Sequence, residues 1–236
     1  MVEKLTSQEW FQGLLDFVFP PLCLGCGDYH DDNNQICERC FKKFDVFEYP
    51  LCLKCRVFIE EGIDCQICKK DSLVLFSYAN YQPPLKDIIH QFKFKGITSP
   101  ATTFAKLAFE KFQLKLESLN AGAIVPIPLH PSRERRRGYN QAELISNHLA
   151  ELMSLPVGTE LLFRTKKGRE QARLPFEKRI ENIKDAFSVD ESNMRFEKVI
   201  LVDDVVTSGA TVLEATRVLE KAGVKVAAIV AISHGI

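Results

Sequence analysis

All eight cysteines of this 236-residue chain lie between residues 23 and 68, where they form four Cys-x-x-Cys pairs. The pairs are Cys23/Cys26, Cys37/Cys40, Cys52/Cys55 and Cys65/Cys68. A gap of two residues lets both thiolates of a tight turn point at one metal ion, and two such turns complete a tetrahedral four-sulfur zinc site. The pattern therefore predicts two zinc sites. With four protein ligands and no open position for water, each is expected to be structural rather than catalytic.

Disulfides and a redox dithiol are the alternatives for these cysteines. The amino terminus lacks the basic region, apolar segment and small-residue cleavage site of a secretory signal, which disfavours disulfides. A redox dithiol would need only one pair. Which two Cys-x-x-Cys turns share one zinc ion stays open. Sequential pairing closes loops of 10 and 9 intervening residues and suits two small ribbons, whereas interleaved pairing would form a cross-brace.

The net charge of zero hides an uneven distribution. Residues 1–75 hold 8 basic and 13 acidic residues, which leaves 31 − 8 = 23 and 31 − 13 = 18 for the rest, so the two parts carry −5 and +5. We therefore predict a cysteine-rich module over residues 1–72 and a second domain over residues 73–236. No apolar run approaches the roughly 18 residues needed to span a bilayer, and we expect a cytoplasmic protein.

A short amphipathic helix is predicted ahead of the cysteines. Thr6 and Glu9 form a capping box, and apolar residues recur at helical spacing from Trp10 to Val18, before Pro20 ends the element. We expect its apolar face to pack on the rest of the protein. The alternative is a docking helix for a partner protein.

From residue 73 onward, short apolar segments alternate with amphipathic ones, which predicts an α/β fold with a parallel sheet covered by helices on both faces. Strands are predicted over residues 73–78, 123–128, 161–163, 198–202 and 225–233. Helices are predicted over residues 84–94, 100–116, 140–153 and 209–222.

The strand at 198–202 runs directly into Asp203 and Asp204, and a helix begins shortly afterwards. Free backbone N–H groups, the positive end of the helix dipole and three hydroxyls converge there, which favours a phosphate dianion. The loop residues are Val206, Thr207, Ser208, Gly209, Ala210 and Thr211. The two acids suit sugar hydroxyls or magnesium, so the segment predicts a ribose 5-phosphate site. The alternative is that Asp204 and Thr207 merely cap the helix.

Residues 199–211 resemble the phosphoribosyl diphosphate (PRPP) signature of type I phosphoribosyltransferases, and the chain as a whole resembles the ComF family of competence-associated proteins. The ComF resemblance rests on Phe19-Pro20-Pro21-x-Cys-x-x-Cys, Lys93-Phe94-Lys95-Gly96, Val125-Pro126-Ile127-Pro128-Leu129-His130, Arg136-Arg137-Gly138-Tyr139-Asn140-Gln141 and Arg179-x-x-Asn182. It implies a type I phosphoribosyltransferase-like fold behind a zinc ribbon, and a role in DNA uptake during natural transformation.

The resemblance also implies site residues. Asp203 and Asp204 would be catalytic and would act on PRPP with magnesium. A loop over residues 129–140 would hold the pyrophosphate, through Arg137 or alternatively Arg136, although any single arginine could instead belong to a solvated basic face. A flexible loop starting at Arg164 and Lys166 would close over the reaction.

Three functions remain open at this stage. The chain is a phosphoribosyltransferase with an unknown acceptor, a catalytically silent PRPP sensor, or an adaptor that binds single-stranded DNA and a protein of the competence machinery. Because the zinc module is acidic, we expect any nucleic-acid contact to lie on the second domain, where residues 92–95 and 133–139 interleave basic and aromatic side chains.

Overall fold

The computed structural model of the chain describes residues 21–30, 35–166 and 183–235. The helix predicted ahead of the cysteines lies outside these residues, as does most of the predicted flexible loop. The strands are β1 Leu51–Cys52, β2 Val74–Asn80, β3 Ala123–Pro126, β4 Leu162–Arg164, β5 Phe187–Val189, β6 Lys198–Val206 and β7 Lys225–His234. The helices are α1 Glu38–Phe41, α2 Leu85–Phe94, α3 Pro100–Ser118, α4 Pro131–Arg137, α5 Gln141–Met153 and α6 Ala210–Lys221.

Five strands form the main sheet in the order β1-β2-β7-β6-β3. The pairs β2–β7, β7–β6 and β6–β3 are parallel, and only the edge strand β1 runs antiparallel, against β2. The carboxyl ends of the four parallel strands therefore meet at one edge of the sheet. The predicted α/β class with a parallel sheet is confirmed.

Helices cover both faces of this sheet, so alternate strand residues enter two different cores. Val230 of β7 packs on the face covered by α2, α3 and α5, whereas its neighbour Ile229 packs on the face covered by α6. Both side chains are fully buried. Burial on both faces explains why these strands are apolar without alternation in the sequence.

The cysteine-rich segment is built onto the sheet. Its strand β1 contains Cys52, and β1 extends the sheet through antiparallel pairing with β2. At the other end of the segment, Gln91 of α2 donates a hydrogen bond to the carbonyl of Leu24 at 2.5 Å. The boundary predicted at residue 72 thus falls within a continuous packed structure, and two separate domains remain a prediction.

Two elements near the predicted site differ from expectation. The strand predicted to end at residue 202 continues as β6 to Val206, because β7 keeps pairing with it as far as His234. The segment predicted as a pyrophosphate loop contains the helix α4, which has Pro131 in its first turn and His130 as its amino-terminal cap. Proline at the start of a helix and a side-chain cap before it are typical helix-start features.

Candidate functional site

The eight cysteines form two clusters, one from the first two turns and one from the last two, so the pairing is sequential. Within each cluster the four sulfur atoms lie within 4.8 Å of one another. The Cys26–Cys37 sulfur distance is 3.8 Å and the Cys55–Cys65 distance is 3.4 Å. A tetrahedral site with zinc–sulfur bonds of about 2.3 Å requires sulfur separations of about 3.8 Å. The clusters therefore fit zinc.

Backbone N–H groups surround the ligand sulfurs, which favours the thiolate that zinc requires. The amides of Gly25 and Cys37 donate to the Cys23 sulfur at 3.3 and 3.2 Å. In the second cluster, hydrogen bonding from the backbone of Cys68 lowers the pKa of Cys65 to about 7 against the opposing effect of burial. Zinc bound here would crosslink the ribbon without an open coordination position.

A polar cleft of about 460 Å³ opens at the carboxyl ends of the parallel strands. This is the position at which ligands bind in open α/β sheets. Its lining includes Tyr81, Lys86, Lys93, Arg133, Arg137, Asn140, Gln141, Arg164, Asp203, Asp204, Thr207 and Thr211. The cleft therefore brings the predicted acid pair and two hydroxyls of the predicted phosphate loop together with several cationic side chains.

The acid pair lies at the end of β6. The Lys93 ammonium of α2 contacts the Asp204 carboxylate at 2.8 Å, and both side chains are largely buried. The Asp203 carboxylate accepts a hydrogen bond from the Asp204 backbone N–H at 2.8 Å. Burial and the adjacent Asp204 carboxylate raise the pKa of Asp203 to about 7, and Lys93 opposes them. Asp204 is thus paired with a lysine, and Asp203 resists ionisation until a cation or ligand compensates its charge.

The predicted phosphate loop leads directly into α6. Gly209 precedes the helix with a φ of +78°, a left-handed conformation that favours glycine. Thr207 and Thr211 line the cleft, whereas Val206, Ser208 and Ala210 are buried. The twelve-residue helix α6 thereby presents its amino terminus to the cleft, where unsatisfied N–H groups suit an anion.

Three arginines line the cleft close to the acid pair. Arg137 lies over the Phe94 ring, 5.1 Å from its centroid, and burial lowers its pKa while the Asp204 carboxylate opposes that effect. Arg164 in β4 is only 7% exposed, and its Nε and Nη2 atoms have no hydrogen-bond partner among the described residues. Burial, reinforced by Arg133, lowers the pKa of Arg164 to about 10. Unpartnered buried guanidinium nitrogens are costly unless a ligand accepts from them.

The junction between α4 and α5 fixes the arginine-rich helix α4 in place. Tyr139 Oη and Gln141 Nε2 both donate to the Phe92 carbonyl, at 2.6 and 3.2 Å. Asn140 donates to the Ile127 carbonyl at 3.1 Å and caps α5 through its side-chain oxygen. Arg137 donates to the Gln141 side chain. The arginine-rich segment is therefore fixed to the end of α2, next to Lys93.

The predicted site residues divide into those in the cleft and those outside it. Arg137 lines the cleft, but Arg136 is exposed beside Phe94. Arg164 is a buried strand residue instead of part of a loop, and Lys166 is exposed and donates to the Lys184 carbonyl. Their roles in binding remain predictions.

Two lysines that the structure places in the cleft were not predicted as residues of the phosphate site, although Lys93 belongs to the segment 92–95 predicted to contact nucleic acid. Lys86 and Lys93 stand seven residues apart on α2 and so lie on one face of the helix, a spacing that is visible in the sequence.

Comparison with known proteins places two family models on this chain. A double zinc ribbon domain matches residues 14–69, and a phosphoribosyl transferase domain matches residues 135–235. Together with the sulfur clusters, the first match confirms two four-cysteine sites of the zinc-ribbon type. The described residues contain no helix long and apolar enough to cross a membrane.

Three relatives illustrate the similarity along the chain. Competence protein F of Haemophilus influenzae is 33% identical over 219 residues, with 86% of this chain and 92% of that protein covered. Competence protein ComFC of Streptococcus pneumoniae is 28% identical, with 83% of this chain and 86% of that protein covered. DNA utilization protein YhgH of Escherichia coli K12 is 34% identical over 158 residues, with 63% of this chain and 66% of that protein covered.

Proposed function

Because the chain belongs to the ComF family of competence proteins, we propose that it binds PRPP with magnesium in the cleft and serves the uptake or use of DNA. The phosphoribosyltransferase-type domain supports the first part of this proposal. Similarity to proteins named for competence and DNA utilization supports the second.

One observation carries the ligand assignment: the cleft joins a phosphate-type loop, an acid pair and three arginines, Arg133, Arg137 and Arg164, which we call the arginine wall. PRPP has the matching order of groups, with a 5-phosphate, a ribose diol and a pyrophosphate. The loop at Thr207–Thr211 would hold the 5-phosphate, and Asp203 and Asp204 would accept hydrogen bonds from the diol. Arg137 and Arg164 would donate to pyrophosphate oxygens.

The donor set also fits magnesium accompanying the ligand. Asp203 and Asp204 offer carboxylate oxygens, which magnesium prefers, usually together with water and substrate phosphates. Bound magnesium would neutralise negative charge on the pyrophosphate. Lys93 already contacts Asp204, so its ammonium would provide positive charge at the same place.

Transfer from PRPP would need positioning and charge stabilisation more than a strong base. Departure of pyrophosphate leaves positive character on the ribose, and Asp203 and Asp204 would stabilise it. Arg137 and Arg164 would stabilise the departing negative charge. A PRPP sensor would use the same contacts without transfer, so only a turnover measurement separates the two.

Calorimetry with PRPP and magnesium tests this proposal. The wild type should bind, and the double variant Asp203→Asn/Asp204→Asn should lose at least about tenfold in affinity, because the neutral amides replace two charged acceptors. Asp71→Asn, at an exposed acid outside the cleft, is the matched control and should bind normally. Absence of wild-type binding would refute the proposal. Pyrophosphate release with candidate acceptors would indicate a transferase, and binding without release would indicate a sensor.

A second candidate function, binding of single-stranded DNA, is favoured by an aromatic and basic surface beside the cleft. Phe94 is 57% exposed at the end of α2, with the His90 ring 4.7 Å away and the Arg137 guanidinium 5.1 Å away. Arg136 borders the same hollow. Exposed rings flanked by cations are typical of surfaces on which bases stack.

Fluorescence anisotropy with a labelled oligothymidylate tests the DNA surface. Phe94→Ala should weaken binding by at least about fivefold, since stacking is worth about 1–3 kcal/mol per base. Leu114→Ala, at an apolar residue on α3 that is 82% exposed, is the control. Equal affinities for the wild type and Phe94→Ala would exclude this surface.

A further inference from the structure

Arg56 extends from the zinc ribbon to the candidate phosphate loop. It directly follows Cys55, a ligand of the second cluster, and its Nη2 donates to the Ser208 carbonyl at 2.9 Å. The two residues are 152 positions apart in the chain. Arg56 is thus a cation of the acidic ribbon that contacts the loop from outside the phosphoribosyltransferase-type domain.

This hydrogen bond fixes the orientation of one peptide group in the loop. The Ser208 carbonyl and the Gly209 N–H belong to one planar trans peptide, so they point in opposite directions. Holding the carbonyl toward Arg56 therefore directs the Gly209 N–H away from the ribbon. Arg56 Nη2 and Leu53 Cδ2 would each lie 3.7 Å from a Cβ placed on Gly209, so the ribbon packs directly against the loop.

Arg56 also brings a positive charge to the loop. No carboxylate among the described residues forms an ion pair with its guanidinium, and its Nη1 is buried without a hydrogen-bond partner there. Beside it, burial and then the Arg56 charge lower the pKa of His234 to about 4, so this histidine adds no charge near neutral pH. A partly buried positive charge against the loop favours a dianion bound by the loop.

The second cysteine cluster determines where Arg56 lies. Its backbone N–H donates to the Cys52 carbonyl at 2.9 Å, and its φ of 62° is left-handed, an unusual conformation for an arginine. This conformation belongs to the turn that carries Cys52 and Cys55. In the part of the chain that the structure describes, the first cluster has no such link to the loop: its arginine, Arg39, donates to the Cys26 sulfur and to Asp28.

We propose that Arg56 is a positioning residue of the phosphate loop, and that zinc at the second cluster, but not at the first, maintains the loop's affinity for a sugar phosphate. The proposal rests on the proposed function, because it concerns the same loop. It gives the zinc ribbon a role in ligand binding in addition to its role in folding.

Calorimetry with ribose 5-phosphate and with inorganic pyrophosphate tests the role of Arg56. Arg56→Met should weaken ribose 5-phosphate binding by about tenfold, because a hydrogen bond from a charged donor and its charge are both lost. Arg56→Lys should recover most of this loss. Pyrophosphate affinity should stay within about twofold in both variants, since that ligand would use the arginine wall. Arg39→Met, in the first cluster, should change neither affinity.

The outcomes separate this inference from the proposed function. If the wild type binds neither ribose 5-phosphate nor PRPP, the proposed function fails. If the wild type binds and Arg56→Met binds ribose 5-phosphate equally well, the inference alone is overturned. If Arg56→Met weakens both ligands alike, Arg56 has only a general structural role, and the inference is also overturned.

Cysteine variants test the zinc dependence. Cys65→Ser removes a ligand of the second cluster and Cys26→Ser removes one of the first, and the metal content of each is measured by atomic emission. We expect Cys65→Ser to lose at least about tenfold in ribose 5-phosphate affinity and Cys26→Ser to stay within about twofold of the wild type. Similar losses in both variants would refute the dependence on the second cluster. If Cys65→Ser does not fold, stepwise chelation of Cys26→Ser, in which only the second cluster keeps its four ligands, decides the same question when affinity is measured at each zinc content.

Discussion

Replacement of Asp203 by asparagine should stabilise the unliganded protein, and the gain should increase with pH. Burial and the adjacent Asp204 carboxylate raise the pKa of Asp203 to about 7 in the folded chain. An acid whose pKa is higher in the folded state than in the unfolded state stabilises the fold at low pH, and this stability is lost as pH rises through the folded value. An asparagine side chain at this position cannot ionise and therefore escapes this loss.

The pKa difference sets the size of the effect. The pKa of Asp203 is about 3.9 in the unfolded chain and about 7 in the fold. This difference makes the full cost of ionising Asp203 about 4 kcal/mol, of which about 2 kcal/mol accrues between pH 5.5 and 8.5. Because the carboxyl is partly open to water in the cleft, we expect about half of this loss of stability. The free energy of unfolding of Asp203→Asn should therefore rise by roughly 1 kcal/mol relative to the wild type between pH 5.5 and 8.5.

Urea denaturation of both proteins at pH 5.5, 7 and 8.5 measures this gain, with Asp71→Asn as the control at an exposed acid. A stability difference that does not change with pH, or that shrinks as pH rises, would refute the assigned environment of Asp203. A gain in stability together with a loss of PRPP affinity would show that the acid is retained for binding at the expense of the fold.

Three further predictions concern the zinc sites, Arg137 and the charge of Asp203. Removal of zinc with a strong chelator should lower the melting temperature in calorimetry, since structural zinc contributes folding free energy, and an unchanged melting temperature would contradict the structural role. Arg137→Met should weaken pyrophosphate binding by about tenfold and leave ribose 5-phosphate binding unaffected; equal losses for both ligands would argue against the arginine wall. PRPP affinity with magnesium should fall as pH decreases below about 7, because Asp203 becomes protonated and neutral. Asp203→Asn should lack that step and show only the titration of the ligand phosphate, near pH 6.

Much of the fold could be predicted from local sequence patterns. The strands and helices after residue 73 follow from apolar periodicity, and the two zinc clusters follow from the spacing of the cysteines. Both kinds of signal depend only on residues that are close in sequence. The helix α4 was missed because the family resemblance implied a pyrophosphate loop over residues 129–140, although Pro131 and His130 mark a helix start.

The parts of the site that could not be predicted depend on long-range contacts. Lys93 meets Asp204 across 111 positions, because α2 packs beside the end of β6. The family resemblance assigned Arg164 to a flexible loop, yet the structure buries it in β4. Arg56 had no distinguishing pattern at all. Each of these placements arises from packing between elements that are far apart in the sequence, which local patterns do not specify.

The crystal structure of the protein with PRPP and magnesium is the most direct test of the central claim that this cleft is a PRPP site. We expect the 5-phosphate at residues 207–211, the ribose diol within hydrogen-bond distance of Asp203 and Asp204, and the pyrophosphate against Arg137. A ligand found elsewhere, or one bound in the cleft with its 5-phosphate away from this loop, would contradict it.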